Sequence, residues 1–175
     1  MFYKTEYKSP LGKIILCCDE KENLAGLWFE GQKYFADSVC GKIIKNDNLD
    51  IFIKTKKWLD KYFNGKKPDI KELPLKPVGS KFRRKVWKIL CKIPYGNVIT
   101  YGDIAKQIAI QKGIAKMSAQ AVGGAVGHNP ISIIIPCHRV VGSNGNLTGY
   151  AAGIKTKIKL LEIEGLKIKN NFIFG

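Results

Sequence analysis

The stretch Ile131 to Val141, I-S-I-I-I-P-C-H-R-V-V, sets the terms for the rest of the chain. Its β-branched run is bounded by turn signals and reads as a buried strand. Pro136 cannot extend a ladder, and the two residues after it are a thiol and an imidazole. The pattern therefore places Cys137 at a strand end, inside the protein yet next to an opening, where a reactive group is useful.

At 175 residues and 45% hydrophobic, the chain can bury a core as one large domain or two small ones. Thirty Lys and Arg against fourteen Asp and Glu leave a net charge of +16, which favours a polyanionic partner, nucleic acid first. The lysines are scattered and Arg occurs only at positions 83, 84 and 139, so a solvated lysine-rich surface explains the composition equally well. No window approaches the roughly 20 apolar residues of a membrane span, and Met1-Phe2-Tyr3-Lys4 lacks the layout of a signal peptide. The protein is expected in the cytoplasm, without a membrane partner. Five cysteines in no regular framework fit a reducing compartment. Metal ligation is not expected, because there are two histidines, Cys17 and Cys18 are adjacent, and no C-x-x-C pair exists.

Residues 2 to 30 read as an antiparallel meander, with turns at Ser9-Pro10-Leu11-Gly12 and Asp19 to Asn23. Gly31 to Asn48 shows no dominant period. Ile51 to Asn64 places Phe52, Thr55, Trp58, Leu59, Tyr62 and Phe63 on one helical face, able to cover the sheet. Lys66 to Gly79 carries three prolines and no apolar period, the composition of a linker, and Cys17, Cys18 and Cys40 read as packing residues. Ser80 caps a helix bearing Phe82, Val86, Ile89 and Leu90, and Thr100 with Asp103 starts another in the manner of a capping box. A further short helix begins near Ser118 and runs through A-Q-A-V-G-G-A-V, forming with its predecessor a helix-turn-helix-like pair. Each glycine there costs about 1 kcal/mol relative to Ala, which calls for close approach to another backbone, either DNA or a neighbouring element of the protein. The last helix carries Ile154, Ile158 and Leu161 and stops at Gly165. The whole reads as an α/β chain. Residues 1–77 form a small antiparallel sheet with a helix and linker, and residues 78–175 form a mainly helical domain with the helix-turn-helix.

A thiol attacks as its thiolate, and an ordinary Cys is mostly protonated at neutral pH, so Cys137 needs a base. His138 can take the proton directly or through a water, if a turn after Pro136 brings two sequence neighbours together. A carboxylate on the other ring nitrogen would fix the tautomer, and Glu164, poorly placed in the last turn of its helix, is the candidate.

P-C-H-R-V, preceded by N-P-I-S-I-I-I and followed by V-G-S-N-G-N-L-T-G-Y, resembles the active-site segment of the O6-alkylguanine-DNA alkyltransferases. The resemblance spans residues 78 to 165 and includes F-R-R-K-V-W, I-P-Y-G-N-V-I-T-Y-G-D-I-A, A-V-G-G-A and L-L-E-I-E-G in the same order. It implies irreversible transfer of an alkyl group from guanine O6 to Cys137, in duplex DNA held through the minor groove with the damaged nucleotide flipped out. By the same resemblance His138 is the water-assisted base, Glu164 its orienting carboxylate, and Asn129 the brace of the cysteine turn. Tyr101 would donate to guanine N3 as the alkyl bond breaks, and Val140 with Tyr150, Ala151 and Ala152 would line the base pocket. Tyr101, Gly102, Gln120 and Ser143 would contact DNA. The implied protein is a monomer that needs no cofactor.

Two positions depart from the family pattern. Gln120 stands where an arginine usually fills the gap left by the flipped nucleotide, behind an inter-helix segment, Ile110 to Met117, that is longer than usual. Ala152 replaces the usual glycine, which narrows the pocket and disfavours bulky alkyl groups. Two other readings remain. A relative that only binds alkylated DNA would typically have replaced the cysteine, and a Cys-His hydrolase would need an oxyanion hole and turnover.

Overall fold

Strands β1 (Phe2–Ser9), β2 (Gly12–Asp19) and β3 (Leu24–Phe29) form the expected meander, with β1 and β2 in register from Phe2 opposite Asp19 to Ser9 opposite Gly12. In this computed structural model, which describes residues 1–174, a fourth strand, β4 (Ile43–Lys45), emerges from the aperiodic segment and runs parallel to β1. The sheet order is β3-β2-β1-β4. Gly26 lies under the Trp28 indole, so close that a Cβ there would come within 1.9 Å of the ring.

Helix α1 (Asp50–Phe63) buries Ile51, Phe52, Thr55, Trp58, Leu59 and Tyr62, while Phe63 stacks on Tyr7 at the margin. Burying each of the large apolar side chains contributes about 1.5–3 kcal/mol. Tyr7 donates to Asp60 at 2.7 Å and Lys56 to Thr5 at 3.1 Å, fixing the helix against β1.

The segment read as a linker carries local structure of its own. Asp69 and Glu72 close a capping box around a 3-10 turn, Ile70–Glu72, and Leu24 pairs on both sides with the following segment: its N–H donates to Pro74 O, and its carbonyl accepts from Lys76 N. Short local polar pairs organise this segment without apolar periodicity. Cys17 and Cys18 are buried as expected, but Cys40 is exposed and packs in no core.

The chain divides into two units, Met1–Gly79 with Pro130–Ile134, and Ser80–Asn129 with the chain from Ile135 onward. The second opens with α2 (Lys81–Leu90), capped by Ser80 Oγ on Arg83 N at 3.2 Å. Strand β5 (Ile99–Thr100) leads into α3 (Tyr101–Lys112), where Thr100 Oγ1 accepts from Asp103 N and donates to Asp103 Oδ2. Helix α3 ends at Gly113, whose φ of 63° is left-handed, and α4 (Ala119–Gly127) starts from the Ser118 cap. The long inter-helix segment is thus partly the last turn of α3. Trp87 Nε1 donates to Ala125 O at 2.9 Å in the interior, tying α2 to α4.

Ile131 to Val141 is buried throughout, as expected, but it is not a strand. Ile131 makes an isolated bridge to Leu27, Ile133 takes a left-handed φ of 68°, and Cys137–Arg139 is a single 3-10 turn. Its polar groups are met by Leu27 and by tight local bonds such as Ile134 N to Ser132 O and Cys137 N to Ile135 O. Only β6 (Val140–Val141) extends, in parallel with β5.

Helix α5 (Ile154–Ile163) follows, with Gly165 beyond its end at φ 88°. An unanticipated hairpin, β7 (Lys167–Lys169) and β8 (Phe172–Phe174), closes a small core of Val141, Leu147 and Leu161 with Ile168 and Ile173. Among the described residues no helix is long and apolar enough to cross a membrane.

Candidate active site

The cysteine is held by its turn and by one amide. Asn129 Nδ2 donates to Ile135 O at 2.8 Å and to Cys137 Sγ at 3.1 Å, so a single buried side chain fixes both the backbone entering the turn and the sulfur. Ile133, β-branched at positive φ, marks backbone strain just upstream, a conformation that surrounding structure must enforce. Burial pushes the Cys137 thiol up from its ordinary range, against the lowering effects of Asn129, the Lys157 charge and a Tyr150 hydrogen bond. The resting thiol is therefore protonated at neutral pH and needs a proton acceptor.

His138 is fully buried, and its Nε2 lies 2.6 Å from Glu164 Oε1. Burial lowers its pKa in spite of that carboxylate, so the ring is neutral at pH 7. Burial also pushes Glu164 up, but hydrogen bonds and charge from His138 and Arg139 overcome it and hold the carboxyl at about 2. A carboxylate can only accept, so Nε2 carries the ring proton and Nδ1 bears the basic lone pair. This is the tautomer a general base requires.

Arg139 locks the carboxylate in place. Its Nε reaches Glu164 Oε2 at 2.9 Å, Nη2 reaches Oε1 at 3.0 Å, and Nη1 reaches Ile93 O at 2.6 Å. The Tyr95 ring lies 5.7 Å from the guanidinium, and Gly96 N–H adds a bond to Glu164 Oε2 at 3.0 Å. The acid that looked misplaced for the helix dipole is thus satisfied by four donors from two other segments.

Pairing of β5 with β6 sets Ile99 beside Val140 and Thr100 beside Val141, which delivers Tyr101 to the cysteine turn. Burial and the nearby Cys137 push the Tyr101 phenol to about 12, so it keeps its proton, which rests on Thr148 O at 3.3 Å. Val140 N–H donates to Cys137 O and its carbonyl accepts from Lys157 Nζ at 2.6 Å. Tyr150, Ala151 and Ala152 form the half-buried turn before α5, with Ala152 O engaged by Thr156 Oγ1 at 2.9 Å.

Gly102 is half-buried in the first turn of α3. Gln120 and Ser143 are exposed, on α4 and on the turn after β6, and neither belongs to the network around Cys137. Gly123 and Gly124 of α4 are not explained by packing inside the protein. A Cβ at Gly123 would meet the Tyr101 ring at an ordinary 3.8 Å, and one at Gly124 would meet nothing within 4 Å.

Two site residues escaped sequence reasoning. Arg139 carries a signal, as the one arginine outside the Arg83-Arg84 pair in a lysine-rich chain and the neighbour of the Cys-His pair. Lys157 carries another, because it shares the helical stripe of Ile154, Ile158 and Leu161 and is fully buried. Among the described residues no cluster of His, Cys, Asp and Glu is arranged to hold a metal.

Comparison with known proteins shows the family to which the chain belongs. The family described as 6-O-methylguanine DNA methyltransferase, DNA binding domain, matches residues 81–166. The companion ribonuclease-like domain of 6-O-methylguanine DNA methyltransferase matches residues 2–77. The methylated-DNA–protein-cysteine methyltransferase of Methanosarcina mazei is 43% identical over 93% of this chain and 96% of its own. That of Haemophilus influenzae is 40% identical over 93% and 86%. The crystal structure of Mycobacterium tuberculosis OGT in complex with DNA matches with a TM-score of 0.76 at 37% identity, covering 93% of this chain and 91% of that one. With both of its halves matched and relatives of this identity over nearly its full length, the chain belongs to the 6-O-methylguanine-DNA methyltransferase family.

Proposed function

We propose that the protein repairs O6-alkylguanine in duplex DNA by moving the alkyl group onto its own Cys137, once per molecule, acting in the cytoplasm as a monomer. The observation that carries this reading is the 2.6 Å bond between His138 Nε2 and Glu164, which puts the basic lone pair on Nδ1 of the residue next in the chain to a thiol held by Asn129. In the reaction, the Cys137 proton passes to His138, directly or through a water. The sulfur electron pair then forms the bond to the alkyl carbon. Electrons of the breaking carbon–O6 bond return to the guanine, and Tyr101 supplies a hydrogen bond or proton at N3 to neutralise it. The imidazolium that remains is balanced by Glu164. Nucleophile, base and leaving-group donor all belong to the chain, so the step needs no cofactor.

Delivery of the base falls to the helix-turn-helix. The small exposed face of α4 supports approach to the minor groove, and Gln120, exposed in its first turn, is the residue we read as filling the gap left by a flipped nucleotide. Tyr101, Gly102 and Ser143 are the further DNA contacts in this reading, and Val140 with Tyr150, Ala151 and Ala152 form the base pocket.

The test is to incubate the protein with a duplex containing O6-methylguanine and weigh its peptides. One methyl on the Cys137 peptide, one equivalent per protein and no further turnover are expected. Repaired DNA with an unmodified Cys137, or many turnovers, would sink the proposal in favour of a hydrolase. Tight binding with no transfer would favour a binding-only role.

A further inference from the structure

Lys157 is one of three lysines in α5, and it alone of them is buried, with none of its surface exposed. Its Nζ donates to Val140 O at 2.6 Å, Thr148 O at 3.0 Å and Gly149 O at 3.3 Å. An ammonium has three protons and no acceptor, so three carbonyls satisfy it completely as a cation. They come from two separate pieces of the site: Val140 follows the cysteine turn, whereas Thr148 and Gly149 lead to Tyr150. Thr148 O also receives the Tyr101 hydroxyl at 3.3 Å, so one carbonyl joins Lys157 to the residue expected to assist the leaving guanine.

The hydrogen-bond partners of this cation are neutral carbonyls, and no carboxylate contributes to its titration. Cys137 and His138 on the turn feel its charge, and Tyr101 at the head of α3 shares the Thr148 carbonyl with it, while Glu164 is occupied by His138 and Arg139. Lys157 and Cys137 act on each other electrostatically in both directions.

We propose that Lys157 is a positioning residue for alkyl transfer: its ammonium ties the Val140 carbonyl to those of Thr148 and Gly149 and is the fixed counter-charge of the Cys137 thiolate. The inference rests on the reading of Cys137 as the nucleophile. When the thiol proton moves to His138, the imidazolium is balanced by Glu164 and the new thiolate by Lys157 and the Asn129 amide. Lys157 keeps its own protons throughout. Once sulfur is alkylated it is neutral, and Lys157 loses the anion it faced. Burial lowers its pKa to about 8, opposed by Cys137, so it is mostly charged at neutral pH and the cost of burying that charge is fully in place below about pH 8.

Lys157→Met and Lys157→Arg separate a charge role from a mere strut. The rate of Cys137 alkylation by iodoacetamide is followed against pH in DNA-free protein, alongside single-turnover transfer from an O6-methylguanine duplex. For Lys157→Met the rate of iodoacetamide alkylation should fall about tenfold at pH 7, where Lys157 is charged, and by less above about pH 8, where Lys157 of the native protein loses its charge. Transfer should slow by about tenfold or more at neutral pH, with the deficit shrinking as pH rises, and Lys157→Arg should recover most of the alkylation rate at pH 7. An unchanged alkylation rate at pH 7 in Lys157→Met, whatever the transfer rate, overturns the counter-charge role.

If Lys157→Met does not fold, nitrogen NMR of Lys157 in the native protein decides. The iodoacetamide profile of Cys137 should flatten over the pH range in which that nitrogen titrates, because the thiolate loses its counter-charge there, and a profile that ignores the titration overturns the proposal. A wild-type protein that transfers no methyl from DNA would instead refute the function, leaving the thiol titration to stand or fall by itself.

Discussion

Glu164 holds a negative charge at 6% exposure, and what permits it is the fork of Arg139 on one side and the ring N–H of His138 on the other. Removing either partner leaves a buried charge without compensation, the costly case for a buried ion pair. The pH dependence follows from the two lowered values. The folded carboxyl of Glu164 sits at about 2, below its unfolded value of about 4.3, so its contribution is complete above that unfolded value. It is lost as pH falls through about 2. His138 is also held below its ordinary value of about 6.5, so the unfolded chain takes up that proton first and stability begins to fall below about pH 6.5. Urea denaturation should therefore weaken in two stages on acidification. Glu164→Gln should lower stability at neutral pH by stranding Arg139 and should abolish the lower stage; a variant curve parallel to wild type down to pH 2 would contradict the assignment. Cys137, His138 and Glu164 were legible in the sequence because their chemistry is stated by residue type. Arg139 and Lys157 were not, because each works through backbone carbonyls or a carboxylate that only the tertiary fold brings near.

Helix α4 gives up helix propensity at Gly123 and Gly124 without recovering it through internal packing, and this is the strongest mark that its face serves a partner. Gly124→Ala should accordingly raise folding stability by up to about 1 kcal/mol, read from thermal or urea unfolding, while weakening DNA binding several-fold. Unchanged DNA affinity in that variant would remove α4 from the interface. At the same helix, Gln120→Arg should speed repair of a duplex substrate more than reaction with a free O6-alkylguanine analogue, and equal effects would refute a flipping role. Element starts were the most legible part of the fold: Ser80, Thr100 and Ser118 all cap where their sequence context indicated. The Ile131–Ile135 run misled because β-branched composition reports burial, and nothing in it announces a left-handed Ile133. The C-terminal hairpin did have a signal. Asn170 and Asn171 take φ of 52° and 61°, as a tight primed turn demands, between the alternating K-I-K and F-I-F.

Across the whole molecule the positive charge is unevenly shared. Residues 80–175 carry fifteen Lys and Arg against three acids, +12, whereas residues 1–79 carry fifteen against eleven, +4. Three quarters of the excess thus lies in the stretch that holds the helix-turn-helix and Cys137, which a uniformly solvating lysine surface would not require. Such a field draws a polyanion without reading its sequence, suited to a protein that must inspect undamaged DNA for rare lesions. Binding to an undamaged duplex should therefore weaken linearly in a plot of log affinity against log salt, with a slope of about −0.9 for each phosphate neutralised. Replacing exposed lysines one at a time locates those phosphates. Lys106→Ala, on α3, and Lys116→Ala, before α4, should each reduce the slope by about one if they touch the backbone, whereas Lys54→Ala on α1 should leave it unchanged. Chemistry at Cys137 with a free base analogue should be indifferent to all three substitutions. A slope near zero, or one altered equally by Lys54→Ala, would show that the charge asymmetry does not direct DNA to residues 80–175.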